Sequence, residues 1–230
     1  MKVLQICNDF YGTKLYKHLF ETLRKRNIEN VVFVPAEKDS AIEIQEKNVY
    51  LCKCFKSWER YFFYHKERTI FKALKENVLL QNTINLSHAH TVFTNGFLAY
   101  KLYEIYQIPY IVTVRNTDIN LFFKYRWNLR HIGVTILQKA KYITFLSPKY
   151  RDACLESYIP TRMYKEFKQK SIIIPNGIDD FWHINSPSIE KKRQDKRMNL
   201  IYAGDINKNK NIVTTIKTIS YPRYRNFLQA

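Results

Sequence analysis

Glycine is scarce in this chain: five residues in 230. No GxGxxG fingerprint is present, so a dinucleotide turn of that kind is not expected, and each glycine that does occur is informative by its position. The four cysteines, Cys7, Cys52, Cys54 and Cys154, form no CxxC pair. Cys52 and Cys54 lie in an apolar run where both side chains share one strand face. With no histidine or second cysteine pair at ligand spacing, the chain reads as holding buried free thiols in a reducing cytoplasm, with no zinc. No apolar run approaches the roughly 20 residues that span a bilayer. The amino terminus turns polar at Asn8 and Asp9, unlike a signal peptide. Acidic residues are also few, 20 against 38 Lys and Arg, leaving a net charge of +18. Such a field favours polyanions: nucleic acid, an anionic membrane face or phosphorylated small molecules.

An apolar fraction of 46% with 15% aromatics is ample for a packed core. Short β-like runs alternate with helical spacing. Lys2–Cys7 reads as a buried strand, Asn8–Gly12 as a turn and Thr13–Arg26 as a helix. Val31–Val34 is a second strand, stopped by Pro35, and Val49–Phe55 a third. Lys56–Glu76 is helical, basic and aromatic. Strands follow at Asn85–His90, Tyr110–Val114, Tyr142–Leu146 and Ser171–Ile174, with helices over Phe97–Tyr106, about Leu121–Lys139, and from Pro148 onward. This alternation predicts an α/β fold: a Rossmann-like parallel sheet with helices on both faces. Residues 183–198 break the pattern with a charged run, Glu190–Arg197, best taken as a solvated linker. A strand over Asn199–Ala203 and a helix over Asn211–Ile219 then restart it. The expected organisation is therefore a first domain over 1–182, a linker over 183–198, and the first β-α unit of a second domain over 199–230. One such unit cannot bury its own apolar face.

Ligands of open α/β sheets bind at the carboxyl ends of strands, which directs attention to five segments. Gly12, between the first strand and helix, lets backbone amides approach a ligand, although ordinary turn chemistry explains it equally well. His88 and His90 share a strand face and end it; contact with a sugar, proton transfer and a satisfied core role all remain open. Val112–Val114 runs into the polar cluster Arg115, Asn116, Thr117 and Asp118, where a site is expected, with Asp118 also suited to capping a helix. Pro175, Asn176, Gly177, Ile178 and Asp179 close the first domain. Gly204, followed by Lys208 and Lys210 at the next helix start, suits a diphosphate.

Ile174-Pro175-Asn176-Gly177-Ile178-Asp179, followed by Gly204 and the pair Lys210-Asn211, resembles the domain junction of family-4 glycosyltransferases of the GT-B fold. The His88-Ala89-His90 strand end, Ile108-Pro109 and the Thr113–Asp118 segment match that family's first domain in order. The resemblance covers most of residues 1–219. It implies a retaining, metal-independent transfer of sugar from a nucleotide-sugar, with no cofactor, to a glycan or lipid-linked acceptor held by the first domain. In that reading Asp118, Arg115 and His90 are the catalytic candidates. Gly12, His88, Asn116, Thr117, Asn176, Gly177 and Asp179 bind substrate, and Gly204, Lys208 and Lys210 hold the donor phosphates. Arg115 stands where the family often has histidine, and Asp205 where it often has arginine. The paired glutamates that hold the donor would lie beyond Ala230, so the chain is expected to be a truncated form with little transfer activity of its own.

Trp58, Tyr61, Phe62, Phe63, Tyr64, Ile70 and Phe71 are interleaved with Lys56, Arg60, Lys66, Arg68 and Lys72; a second cluster runs over Phe122–Trp127. Such segments suit either core packing or an anionic membrane surface, at the inner face of the cell membrane for an enzyme of envelope glycans. The rival readings are a basic nucleic-acid-binding protein, which lacks any recognisable recognition motif, and a binding half that works with a separate second part.

Overall fold

A computed structural model describes residues 1–43, 46–178, 180–185, 201–204, 206 and 210–220. The chain divides into two compact units, Met1–Asp179 and Asp180–Ala230. The first holds a seven-stranded, wholly parallel sheet in the order β3-β2-β1-β4-β5-β6-β7. Its strands are β1 (Lys2–Ile6), β2 (Glu29–Glu37), β3 (Val49–Phe55), β4 (Leu86–Ala89), β5 (Tyr110–Val114), β6 (Tyr142–Phe145) and β7 (Ser171–Ile173). The helices are α1 (Lys14–Lys25), α2 (Phe63–Leu74), α3 (Thr94–Tyr106), α4 (Arg130–Lys139), α5 (Pro148–Tyr158) and α6 (Tyr164–Gln169). The second unit contributes α7 (Asp180–Ile184) and α8 (Ile212–Ser220).

Pro35 does not end β2, contrary to the sequence expectation. Val32 N donates to Asn48 O of the β3 side, while Phe33 O accepts from Cys7 N of the β1 side. By that alternation Pro35 turns its missing N–H toward β1, whose pairing stops at Ile6 opposite Phe33. No ladder bond is lost, so proline is tolerated. The long helix expected over 121–139 is also broken. A wide turn over Asp118–Phe123 gives way at Arg126 before α4 begins. Arg130 caps the break, its guanidinium donating to the carbonyls of Phe123 (2.6 Å) and Lys124 (3.1 Å). In the second unit α8 forms close to where expected, but Ile201–Ala203 are not in a strand, and residues 199 and 200 lie outside the described residues. His183 and Ile184 belong to α7, so the expected linker starts within a helix; its charged run lies outside the described residues.

One face of the sheet carries the main core. Leu4, Ile6, Phe33, Val112 and Phe145 pack there against α2 through α6, and Cys52 joins them with Cys54 beside it. All four cysteines are free thiols. The opposite face packs Cys7, Val32 and Val34 against Tyr16 and Phe20 of α1. Beyond them it becomes polar. Gln5 Nε2 donates to Asn30 Oδ1 (2.8 Å), and His90 Nε2 donates to Gln5 Oε1 (2.9 Å). The His90 ring lies against His88 with centroids 4.1 Å apart. His88 Nε2 bonds Thr113 Oγ1 (2.9 Å), which bonds Thr144 Oγ1 (2.7 Å). A continuous polar strip thus crosses β2, β1, β4, β5 and β6.

The scarcity of glycine shows in the backbone. Among the described residues, Asn27, Asn48, Gln107 and Asn211 adopt positive φ, with asparagine taking three of the left-handed positions that glycine usually fills. Gly133 is needed for space: a Cβ there would come within 2.7 Å of the Phe93 ring. Phe93 in turn stacks on Phe122 (4.7 Å) and meets Phe123 edge-on (4.9 Å), which seats the segment after Asp118.

Candidate active site

β1 lies between β2 and β4, so the chain's direction of travel across the sheet reverses at β1/β4. The carboxyl ends of these strands diverge there into a crevice, the usual ligand position in such sheets. The loops that meet around it follow β1, β4 and β5. The turn after β7 reaches them through one side chain.

Asp118 is 1% exposed and ties two of these loops. Its Oδ1 accepts from the amides of Val92 (3.0 Å) and Phe93 (3.3 Å), and its Oδ2 from the Arg115 amide (2.9 Å). Burial pushes its carboxyl up to about 6, opposed by those three amides and by the Arg115 charge. Both oxygens are thus engaged with backbone, and the carboxylate does not cap the helix that follows. Arg115, partly buried, stretches its guanidinium across the crevice. Nη1 donates to Asn176 Oδ1 (2.9 Å), Nε donates to His90 O (3.4 Å), and the group sits 5.7 Å from the Tyr16 ring centre.

His90 is 1% exposed beneath α1, its ring against Tyr16 (4.9 Å) and Phe20 (5.5 Å). Burial, then His88 and Arg115, hold its pKa well below the usual range, so the ring is neutral. The ring is thus buried but only half satisfied: Nε2 bonds Gln5 Oε1 while Nδ1 meets no hydrogen-bond partner. His88 is more open, and burial with the Arg115 charge lowers it to about 4, leaving it a neutral hydrogen-bonding group at pH 7. Asn116 and Thr117 are exposed, and Asn116 Oδ1 accepts from Tyr150 Oη (3.2 Å) and from Asn120. Gly12 follows a tight turn in which its amide donates to Asp9 O (3.1 Å), and Thr13 caps α1. A Cβ on Gly177 would meet nothing within 4 Å. Asn176 and Gly177 are exposed. Asp179 and Lys208 lie outside the described residues. Gly204 takes φ +152° and Lys210 precedes α8 in the second unit.

Sequence reasoning missed a cavity of about 240 Å³ beside this cluster, at the ends of β1 and β2. Asn8, Thr94 and Asn95 form one wall; Arg60, Lys66 and Glu67 contribute another. Asn95 Nδ2 donates to Asn8 Oδ1 (3.1 Å). Glu67 is fully buried with the Lys66 ammonium 3.0 Å away, and burial raises it to about 7. The signal was present: Glu67 occupies the buried stripe of α2 with Phe63, Ile70 and Leu74, where an apolar residue is expected.

This parallel α/β sheet, with loops gathered at its strand-order reversal, is Rossmann-like. A match over residues 14–180 to Glycosyltransferase Family 4 places the chain in that family. No curated protein matches the sequence. Among solved structures it is similar to Os79 from O. sativa in complex with UDP, at 9% identity and a TM-score of 0.48, covering 79% of this chain and 53% of the other. It is also similar to the UDP-GlcNAc 2-epimerase from Neisseria meningitidis bound to UDP-GlcNAc, at 17% identity and a TM-score of 0.46, covering 76% and 47%. The chain spans about half the length of these structures.

Proposed function

We propose that the chain supplies the acceptor side of a nucleotide-sugar glycosyltransferase, acting on a glycan or lipid-linked acceptor of a cell-envelope or capsular polysaccharide, at the cytoplasmic face of the membrane. Membership of Glycosyltransferase Family 4 over residues 14–180 is the observation that carries this reading. Transfer from a nucleotide-sugar requires an acceptor hydroxyl held against the anomeric carbon and a diphosphate leaving group met by fixed positive charge. The cavity walled by Asn8, Asn95 and Glu67 suits hydroxyl groups. Arg115 is the cation of the crevice, His88 and Asn116 contact substrate, and Asp118 and His90 position Arg115 from behind through its amide and through a carbonyl. Asn176, Gly177 and Asp179 are assigned to substrate by the resemblance of their segment, as are Gly12 and Thr117. In the second unit, Gly204, Lys208 and Lys210 are assigned to the donor phosphates by the family resemblance of their segment. No metal or other cofactor is needed.

The test is a titration of the chain by nuclear magnetic resonance with oligosaccharide acceptors, nucleotide-sugars and an oligonucleotide. Acceptor-induced shifts at Asn8, Asn95 and Arg115, lost on Arg115→Ala, are expected. Sequence-dependent binding of the oligonucleotide with no response to saccharides would overturn the reading in favour of nucleic acid. A mixed assay for release of nucleoside diphosphate gauges transfer: release that requires both donor and acceptor is expected, and release indifferent to the acceptor would count against the transferase reading.

A further inference from the structure

A second surface lies outside the crevice, in the helical layer. α2, α3 and α4 border a groove of about 620 Å³. Arg68, Lys72, Lys75 and Lys101 line it, and no carboxylate does. Lys72 has Glu76 at 3.9 Å, a solvent-exposed pair that neutralises little. The other lining is apolar or aromatic. Lys75 lies 5.7 Å from the Phe71 ring centre, and Lys101 lies 5.9 Å from Phe97 and 5.5 Å from Tyr100. The ammonium groups of Lys75 and Lys101 therefore sit over aromatic rings that line the same groove. Tyr64 and Ile105 are exposed at the rim. The adjoining turn leaves Trp58, Tyr61 and Phe62 in solvent. Of the aromatic helix singled out in the sequence, only part is therefore available: Phe63 and Ile70 are core.

We propose that this groove is where the protein seats on an anionic phospholipid surface, headgroup phosphates meeting the four cations and the rim side chains entering the interface. The proposal rests on the membrane location offered above and assigns its contact site. A soluble phosphate would be served by the cations alone. The exposed rings and Ile105 at the rim are the added element, and they match a surface that is charged outside and apolar beneath.

The experiment is co-sedimentation of the full chain with phosphatidylcholine vesicles, with and without phosphatidylglycerol, with no transfer assay involved. Lys72→Glu/Lys75→Glu/Lys101→Glu is compared with Lys25→Glu/Arg26→Glu/Lys141→Glu, an equal charge change at exposed cations that do not line the groove. Glutamine versions are run beside the reversals, and circular dichroism confirms the fold of each. Binding that requires phosphatidylglycerol, weakened at least about tenfold by the groove reversal and much less by the control, is expected. Equal weakening by both sets would mean diffuse charge and overturn the groove. Displacement by glycerol phosphate or by an oligonucleotide at matched ionic strength would overturn the lipid surface. Failure to bind any vesicle removes the membrane location too, while leaving the transferase reading to its own test.

Discussion

The carboxylate of Asp118 accepts the amide proton of Val92 at 3.0 Å, joining the loop after β5 to the loop after β4 across 26 residues of sequence. Because the same side chain also takes the amides of Phe93 and Arg115, it fixes the spacing of the crevice from beneath. Asp118→Ala is expected to cost about 2–4 kcal/mol, since three buried amides lose their acceptor. Hydrogen exchange should show Val92, Phe93 and Arg115 opening faster, with amides of β2 and β3 unchanged. Uniform acceleration across the sheet would mean that the carboxylate supports the whole fold rather than these loops.

Glu67 gives a pH-dependent prediction. Its pKa is raised from 4.5 to about 7 by burial, so the folded state holds its proton more tightly than the unfolded chain. Stability from this group is present at low pH and lost as pH rises between those values. Glu67→Gln should therefore stabilise the protein by about 1–3 kcal/mol near pH 8 and do little near pH 4. Denaturant unfolding at the two pH values reads this directly, and a gain independent of pH would rule out the buried-charge explanation.

The histidines act in the opposite sense. His88 is lowered to about 4 and His90 well below its ordinary 6.5, so the unfolded chain binds protons that the folded one refuses. Their contribution is full above about pH 6.5 and declines as pH falls toward 4. Unfolding followed by intrinsic fluorescence should show proton uptake over this window. His88→Gln should make the decline shallower; an unchanged slope would show that the His88 imidazole does not drive it.

Gln107 closes α3 in the left-handed region at φ 55°. A side chain with a Cβ is strained there by about 1–2 kcal/mol, which glycine relieves at the cost of a floppier unfolded chain. Gln107→Gly is expected to raise the melting temperature by a few degrees. A drop would show that the amide's bond to Tyr103 O (3.0 Å) outweighs the strain.

Much of the fold was legible because it depends on local patterning. β3 and β5 fall where their alternation puts them, and Pro148 opens α5 behind the Ser147 cap. The errors arose where tertiary geometry overrides local preference. Pro35 survives inside a strand only because the neighbouring ladder has ended, which spacing along one strand does not reveal. Arg126 breaks a helix that its apolar pattern would continue. At the site, the polar segments at strand ends were readable from sequence. Which of their members turn inward was not: His90 and Asp118 are sealed, whereas His88 and Asn116 keep partial or full access. Residues on α2 that wall the cavity were hidden because they come together only through packing.

The polar strip from Asn30 through Gln5, His90, His88 and Thr113 to Thr144 has one further consequence. Parallel strands rich in valine and isoleucine on both faces pair almost as well one residue out of step, since apolar side chains are interchangeable across a pleat. A slip of β4 by one position would carry both imidazoles to the face now filled by Phe33 and Val112, and would strand Gln5 and Thr113 without partners. The strip therefore works as a register key: it penalises every misaligned sheet by several buried polar groups at once, and so selects the single alignment in which the crevice loops meet.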